Sequence, residues 1–414
     1  MRALSRSLSL LGVIASLATT TAAAEPAMPV AIHGETVHTM AGATITDGLI
    51  LVRDGKIAYV GPAADRMYTA DHRVIRAKVV TPGLIDARAT VGLTGILNQP
   101  QDQDMLEKSA PVQPELRALD AYNPRDPLVA YLRSFGVTTV NTGHAPGTLV
   151  SGQTMVVKTL GRTADQDAIK PAAMTAVSLG SAGTTEQAGK SPGTRSKAVA
   201  LLRAELIKAQ EYGRKLQTAD EAKRPGRDLR LETLLRALDG TQPLLITAHR
   251  QQDIVSALRL AREFNLRIVL DGCADAQLVL AEIKASGFPV ILHPTMQRSF
   301  GDMENLSYET AAALRTAGVP FALQSGYESY VPKSRVILFE AAVAVGRGGL
   351  PFEAALASVT IDAAKILGVA DRVGSLEVGK DADVALYDGD PFEYTTHCTG
   401  VLIDGQAFPG ELYP

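Results

Sequence analysis

The 414-residue sequence predicts an α/β protein in which a barrel of βα units is inserted into a small β domain built from both chain ends. Three observations carry this. The two ends hold short β-rich runs punctuated by Asp47-Gly48, Asp54-Gly55, Asp388-Gly389 and Asp404-Gly405, pairs that mark tight turns between antiparallel strands. Neither end is large enough for its own core, so residues 25–80 and 371–414 are expected to pair as one domain. Between them, in 81–370, apolar β-type runs alternate with amphipathic helical patterns, the rhythm of βα units in a parallel sheet.

The elements follow in order. "GATITDGLILVRDGKIAYVGP" reads as a hairpin region, and "VVTPGLIDA" as the first strand of the inserted domain. "DPLVAYLRSFGVTTVNTGH" supplies a helix and the second strand, "QTMVVKTLG" the third and "AAMTAVSL" the fourth. The Gly/Ser/Thr-rich stretch "LGSAGTTEQAGKSPGT" reads as a loop over the mouth, followed by a long helix capped by Thr194 and running through Leu216. "PLLITAH" (243–249), "RIVLDG" (267–272), "FPVILH" (288–293) and "VPFALQSG" (319–326) are strands five to eight, each followed by a helical pattern. Eight strands favour a barrel over an open sheet. Strands around Val384–Tyr387 and Val401–Ile403 complete the terminal domain.

Composition narrows the function. With 46% apolar and 21% charged residues, a net charge of -3 and no long basic run, the chain is not expected to bind nucleic acid or an anionic membrane. The first 24 residues have two arginines, an apolar run from Leu8 to Ala18 and the step Ala22-Ala23-Ala24, which reads as a signal peptide cut near Ala24. A secreted or periplasmic protein is therefore expected. Cys273 and Cys398 are the only cysteines, and they fall in different expected domains, so two separate thiols are preferred over one bridge. No Walker A, dinucleotide fingerprint, HExxH, GxSxG or paired CxxC occurs.

"TPGLIDA", "FGVTTV", "AHRQQDI", the tail "AAKILGVADRVGSLEVGKDADVALYDGDPF" and "VLIDGQ" together resemble the amidohydrolase superfamily, in particular its exported imidazolonepropionase-like members. The resemblance covers nearly all of the mature chain and implies a (β/α)8 TIM barrel flanked by a small β-sandwich made from both chain ends. It also implies hydrolysis of C–N bonds by one or two divalent metals at the C-terminal mouth of the barrel, where a Lewis acid makes hydroxide available near neutral pH. The ligands it implies are a His-x-His pair on strand one, a carboxylate or carboxylated lysine near strand four, histidines on strands five and six, and an aspartate on strand eight.

Here those positions read Arg88 and Thr90, no lysine or carboxylate in "AAMTAVSLG", His249, Gly272 and Gly326. One imidazole remains, whereas catalytic zinc takes about three protein ligands, and a guanidinium has no lone pair to offer. No metal and no other cofactor is therefore expected. Two functions stay open. One is a hydrolase by descent that retains metal-independent or altered chemistry on a cyclic amide, imide or amino-acid derivative, using His249 with Arg88 as electrostatic stabiliser. The other is a non-catalytic barrel that binds a small molecule, or that partners a metal-complete relative. Self-association is a further expectation.

At the mouth, Arg250, His293, His144, Asp271 and Glu328 are the candidate substrate-binding residues beside His249 and Arg88. Each has a plainer reading: His249 as a hydrogen-bonded relic, His293 as a turn residue before Pro294, His144 as an exposed loop histidine, Glu328 and Tyr327 as loop surface. Arg88 reads either as a carboxylate clamp or as a partner of Asp86 or Asp271. A Cys273/His249 nucleophilic site is outweighed by a buried thiol, and Lys158 reads as structural.

Overall fold

Asp54 and Gly55, at φ 51° and 74°, turn β2 (Ile45–Arg53) into β3 (Lys56–Pro62), as the Asp-Gly pair predicts. The computed structural model describes residues 28–185, 192–218, 220–328 and 335–410, so the expected signal peptide and residues 186–191 of the expected mouth loop lie outside the described residues. Asp47-Gly48 is a correction: it lies inside β2, with Asp47 at φ 49°, and makes no turn. β1 (Val30–Val37) pairs antiparallel with β2 and parallel with β4 (Arg73–Pro82).

The inserted domain begins at once. β5 (Leu84–Ala89) and β6 (Val137–Thr142) pair in parallel, and every residue of both is buried. β7 (Val150–Gln153) and β8 (Met155–Lys158) are two halves of one stretch interrupted at Thr154. β8 runs antiparallel to β6 and also pairs with β9 (Ala168–Lys170), while β7 runs antiparallel to β10 (Thr175–Ser178). The expectation of an all-parallel set is thus corrected at strand three. Reversal there lets one stretch join two sheets, with β7 at the edge of a six-stranded arc and β8 inside a four-stranded one.

The six-stranded arc continues in parallel through β11 (Leu244–Ala248), β12 (Ile268–Gly272), β13 (Val290–Leu292) and β14 (Phe321–Ala322). No strand ladder joins β14 to β5 among the described residues; the amide of Gly326 donates to the carbonyl of Arg88 at 3.2 Å across that gap. Apolar residues of the strands and surrounding helices form the main core, with Leu202, Leu206, Ile246 and Leu314 among its most buried members. The long helix Arg195–Leu216 starts as expected, with the Thr194 hydroxyl accepting from the Lys197 amide.

The chain then returns to the first sheet. β15 (Val384–Tyr387), β16 (Cys398–Ile403) and β17 (Gln406–Pro409) extend β4, giving seven strands in the order β17-β16-β15-β4-β1-β2-β3. Both chain ends therefore share one β-rich domain. Its seam with the α/β domain joins apolar packing, with Ala385, Tyr387, Val401 and Ile403 in the main core, to an ionic cluster: Lys158, at the end of β8, donates to Asp381 at 2.8 Å, Asp383 at 2.9 Å and Asp404 at 2.5 Å. This structural role is the one read from the sequence for Lys158. No described helix is long and apolar enough to cross a membrane.

Candidate functional site

Residues at the C-terminal ends of β5, β6, β11, β12, β13 and β14 converge on one polar region. Arg88 is fully buried, an unusual place for a guanidinium. One of its Nη atoms donates to the His144 carbonyl, while Nε and the other Nη have no protein partner. Burial lowers its pKa, and the fields of Asp271, Tyr327 and Asp86 oppose that shift. The expected direct pairing with Asp86 or Asp271 is replaced by the carbonyl contact, so these carboxylates act on Arg88 through space.

Both carboxylates are committed elsewhere. Asp86 accepts from the Ser325 hydroxyl, the Ser325 amide at 3.1 Å and the Arg88 amide at 3.2 Å. Burial nevertheless pushes its pKa up to about 6. Asp271 accepts from the Thr247 hydroxyl at 2.6 Å and the Gln324 amide at 2.7 Å. Thr247, Gln324 and Ser325 were not singled out in the sequence; the signal for them was their place at the ends of strands five and eight.

His249 Nε2 lies 3.0 Å from the Tyr327 hydroxyl, and its Nδ1 is buried without a partner. Burial holds the imidazole below its ordinary pKa, against the pull of Asp271. Burial also raises the Tyr327 phenol, so the pair is neutral around pH 7. Tyr327 is thereby part of the site and not loop surface. Gly272 has φ 85°, and a Cβ there would lie 2.5 Å from His249 Cε1. The surviving histidine therefore occupies the space that a side chain on strand six would need.

His293 Nδ1 faces the Pro294 carbonyl at 3.0 Å, leaving Nε2 buried and without a partner. A carbonyl only accepts, so Nδ1 carries the proton of the neutral ring and Nε2 presents its lone pair. His144 is buried with neither ring nitrogen partnered, which corrects its reading as an exposed loop residue. Burial pushes both imidazoles down to about 4.

Glu328 is paired with Arg335, which also donates to Gln297. A Cβ on Gly326, at φ 105°, would lie 2.9 Å from Glu328 Oε2 and 3.2 Å from an Arg335 Nη. Arg250 turns onto the loop after strand seven, pairing with Glu304 and Asp302 and donating to the Gly301 carbonyl at 3.0 Å. In this structure Arg250 thus joins two loops beside the site. Cys273 is buried and burial raises its thiol pKa strongly, which leaves little thiolate for a nucleophilic role. Both cysteines are free thiols. Among the described residues, no group of three or more His, Cys, Asp or Glu side chains is placed to hold a metal ion.

Known proteins place this arrangement. Residues 270–408 match the amidohydrolase family. The chain is 26% identical over 403 residues to amidohydrolase tasK of Hapsidospora irregularis, covering 87% of this chain but 40% of that longer protein. It is 27% identical over 396 residues to an imidazolonepropionase of Sphingopyxis alaskensis, covering 86% of this chain and 91% of that one. A solved amidohydrolase of Thermotoga maritima superposes with a TM-score of 0.85 at 28% identity, covering 92% of this chain and 100% of that chain. The α/β domain and the composite β domain therefore superpose together on that solved amidohydrolase. The chain is thus similar in sequence and fold to the amidohydrolases, and in particular to imidazolonepropionases.

Proposed function

We propose that this chain binds a small molecule at the strand ends without a divalent metal, and that the metal-dependent hydrolysis of its superfamily is absent. The observation that carries the proposal is Arg88: a fully buried guanidinium stands where the resemblance implies a metal-ligating histidine. The donor set does not fit a divalent ion. The side-chain space at Gly272 is filled by the His249 ring, and that at Gly326 by Glu328 and Arg335. Asp271 and Asp86 are already hydrogen-bonded, and Arg88 supplies a permanent positive charge in their field. Repulsion between Arg88 and an incoming cation adds to the shortage of ligands.

The same residues suit a polar organic ligand. Arg88 offers N–H donors, His293 Nε2 offers a lone pair, and His249 offers Nδ1, all buried and without protein partners. Export from the cytoplasm, by the N-terminal signal read in the sequence, is part of this proposal.

The test is elemental analysis of the purified mature protein, together with turnover of cyclic amides, imides and dipeptides before and after chelation. The expected result is far less than one equivalent of any transition metal and no chelator-sensitive turnover. One equivalent of zinc, or hydrolysis abolished by chelator and restored by zinc, would overturn the proposal.

A further inference from the structure

The loop that follows strand seven is tied to its neighbours by charge. Asp302 accepts from the Ser181 amide at 2.8 Å, on the loop after β10, and from Arg195 at 2.9 Å, at the start of the long helix. Arg250, just past β11, lies 3.5 Å from Asp302, pairs with Glu304 and donates to the Gly301 carbonyl. Arg195 also pairs with Asp253 at 3.0 Å. Asn305 donates to Asp275 at 2.8 Å, beyond β12. Asp275 in turn accepts from the Gln251 amide at 2.8 Å. Five charged residues thus bridge loop seven to the segments that follow strands four, five and six.

We infer that residues 300–305 form an ionic strap across the mouth, whose release opens the way to His249 and controls ligand entry. The anchors converge on the segment that carries His249: Arg250 is its chain neighbour, and the Asp275 amide donates to the His249 carbonyl at 2.9 Å. The strap is also built to open. Phe300 is 61% exposed, so little apolar burial holds that end of the loop. Most of its charged anchors keep some contact with solvent: the side chain of Glu304 is 57% exposed, that of Arg195 42%, that of Arg250 25% and that of Asp302 17%, while Asp275 is buried. Such pairs are weak individually and are screened by salt, so a loop held chiefly by them loosens as ionic strength rises. This inference rests on the proposed reading of the mouth as a ligand site, but its readouts require neither ligand nor metal.

The full mature chain would be compared at about 20 mM and about 500 mM NaCl, where the Debye length falls several-fold. Hydrogen–deuterium exchange would follow peptides covering 178–184 and 299–306, and diethyl pyrocarbonate labelling would follow the His249 ring against exposed His397. At high salt, both peptides are expected to exchange about tenfold faster and His249 labelling to rise in step, while β11 and β12 stay protected. Asp302→Asn should show fast exchange and fast labelling already at low salt. Arg195→Gln should do the same if Asp302→Asn fails to fold.

Faster strap exchange without greater labelling of His249 would overturn the inference, because the strap would then not cover that route. Unchanged exchange would overturn it too. So would a parallel loss of protection in β11 and β12, which signals global unfolding. Finding zinc in the same sample would overturn the functional reading and leave the strap standing.

Discussion

Arg88 shows how one side chain can change what a site is able to do. A buried guanidinium cannot be deprotonated under ordinary conditions, so its neighbours adjust to it. Removing it in Arg88→Met would leave the buried His144 carbonyl without its donor and take a fixed positive charge from the field of Asp271 and Asp86, so a loss of about 1–3 kcal/mol is expected at neutral pH from urea denaturation. Asp86 provides the pH test. Its folded pKa is raised from 3.8 to about 6, so its stabilising contribution is complete below the unfolded value and is lost as pH rises through 6. Between pH 3 and pH 7 the wild type should therefore lose on the order of 3 kcal/mol relative to Asp86→Asn; parallel pH profiles for the two proteins would contradict this. At Gly272 the backbone and the space agree. Gly272→His demands a positive φ and displacement of the His249 ring, so it should lower the melting temperature and bind no zinc in a direct titration.

At the scale of elements, local signals were legible where the physics is local. Thr194 was recognised as a cap because its hydroxyl needs only the next few amides, and Thr194→Ala should cost about 1 kcal/mol in chemical denaturation. Asp54-Gly55 and Asp404-Gly405 form turns with both residues at positive φ, as read. Asp47-Gly48 has the same composition and does not turn, because the pairing of β2 with β1 on one side and β3 on the other carries the strand through it. The reversal of β7 and β8 was hidden for a related reason. A buried apolar run reads the same in either direction, and only its pairing with β6 and β10 distinguishes them.

At the scale of the molecule, Lys158 is a buried charge at the domain seam, its ammonium facing three aspartates from the C-terminal segment. Lys158→Met would leave Asp381 and Asp383 buried without that cation, so a loss of about 3–5 kcal/mol is expected in urea denaturation. Chelation gives the opposite outcome. A protein that holds no metal gains no linkage energy from one, so its thermal midpoint should be unchanged by excess EDTA, and a fall of several degrees would reveal a bound ion.

The sequence alone determined the alternation of strands and helices, the pairing of its two ends, and the kinds of atoms at positions 88, 90, 249, 272 and 326. These follow from residue type and short-range periodicity, and donor chemistry does not depend on where a side chain points. Tertiary structure decided that Arg88 meets the carbonyl of His144, that the ring of His249 fills the side-chain space of Gly272, and that Arg250 serves a strap between loops. Those contacts join residues far apart in the chain, and their energies depend on burial and on distances that arise only once the strands are packed together.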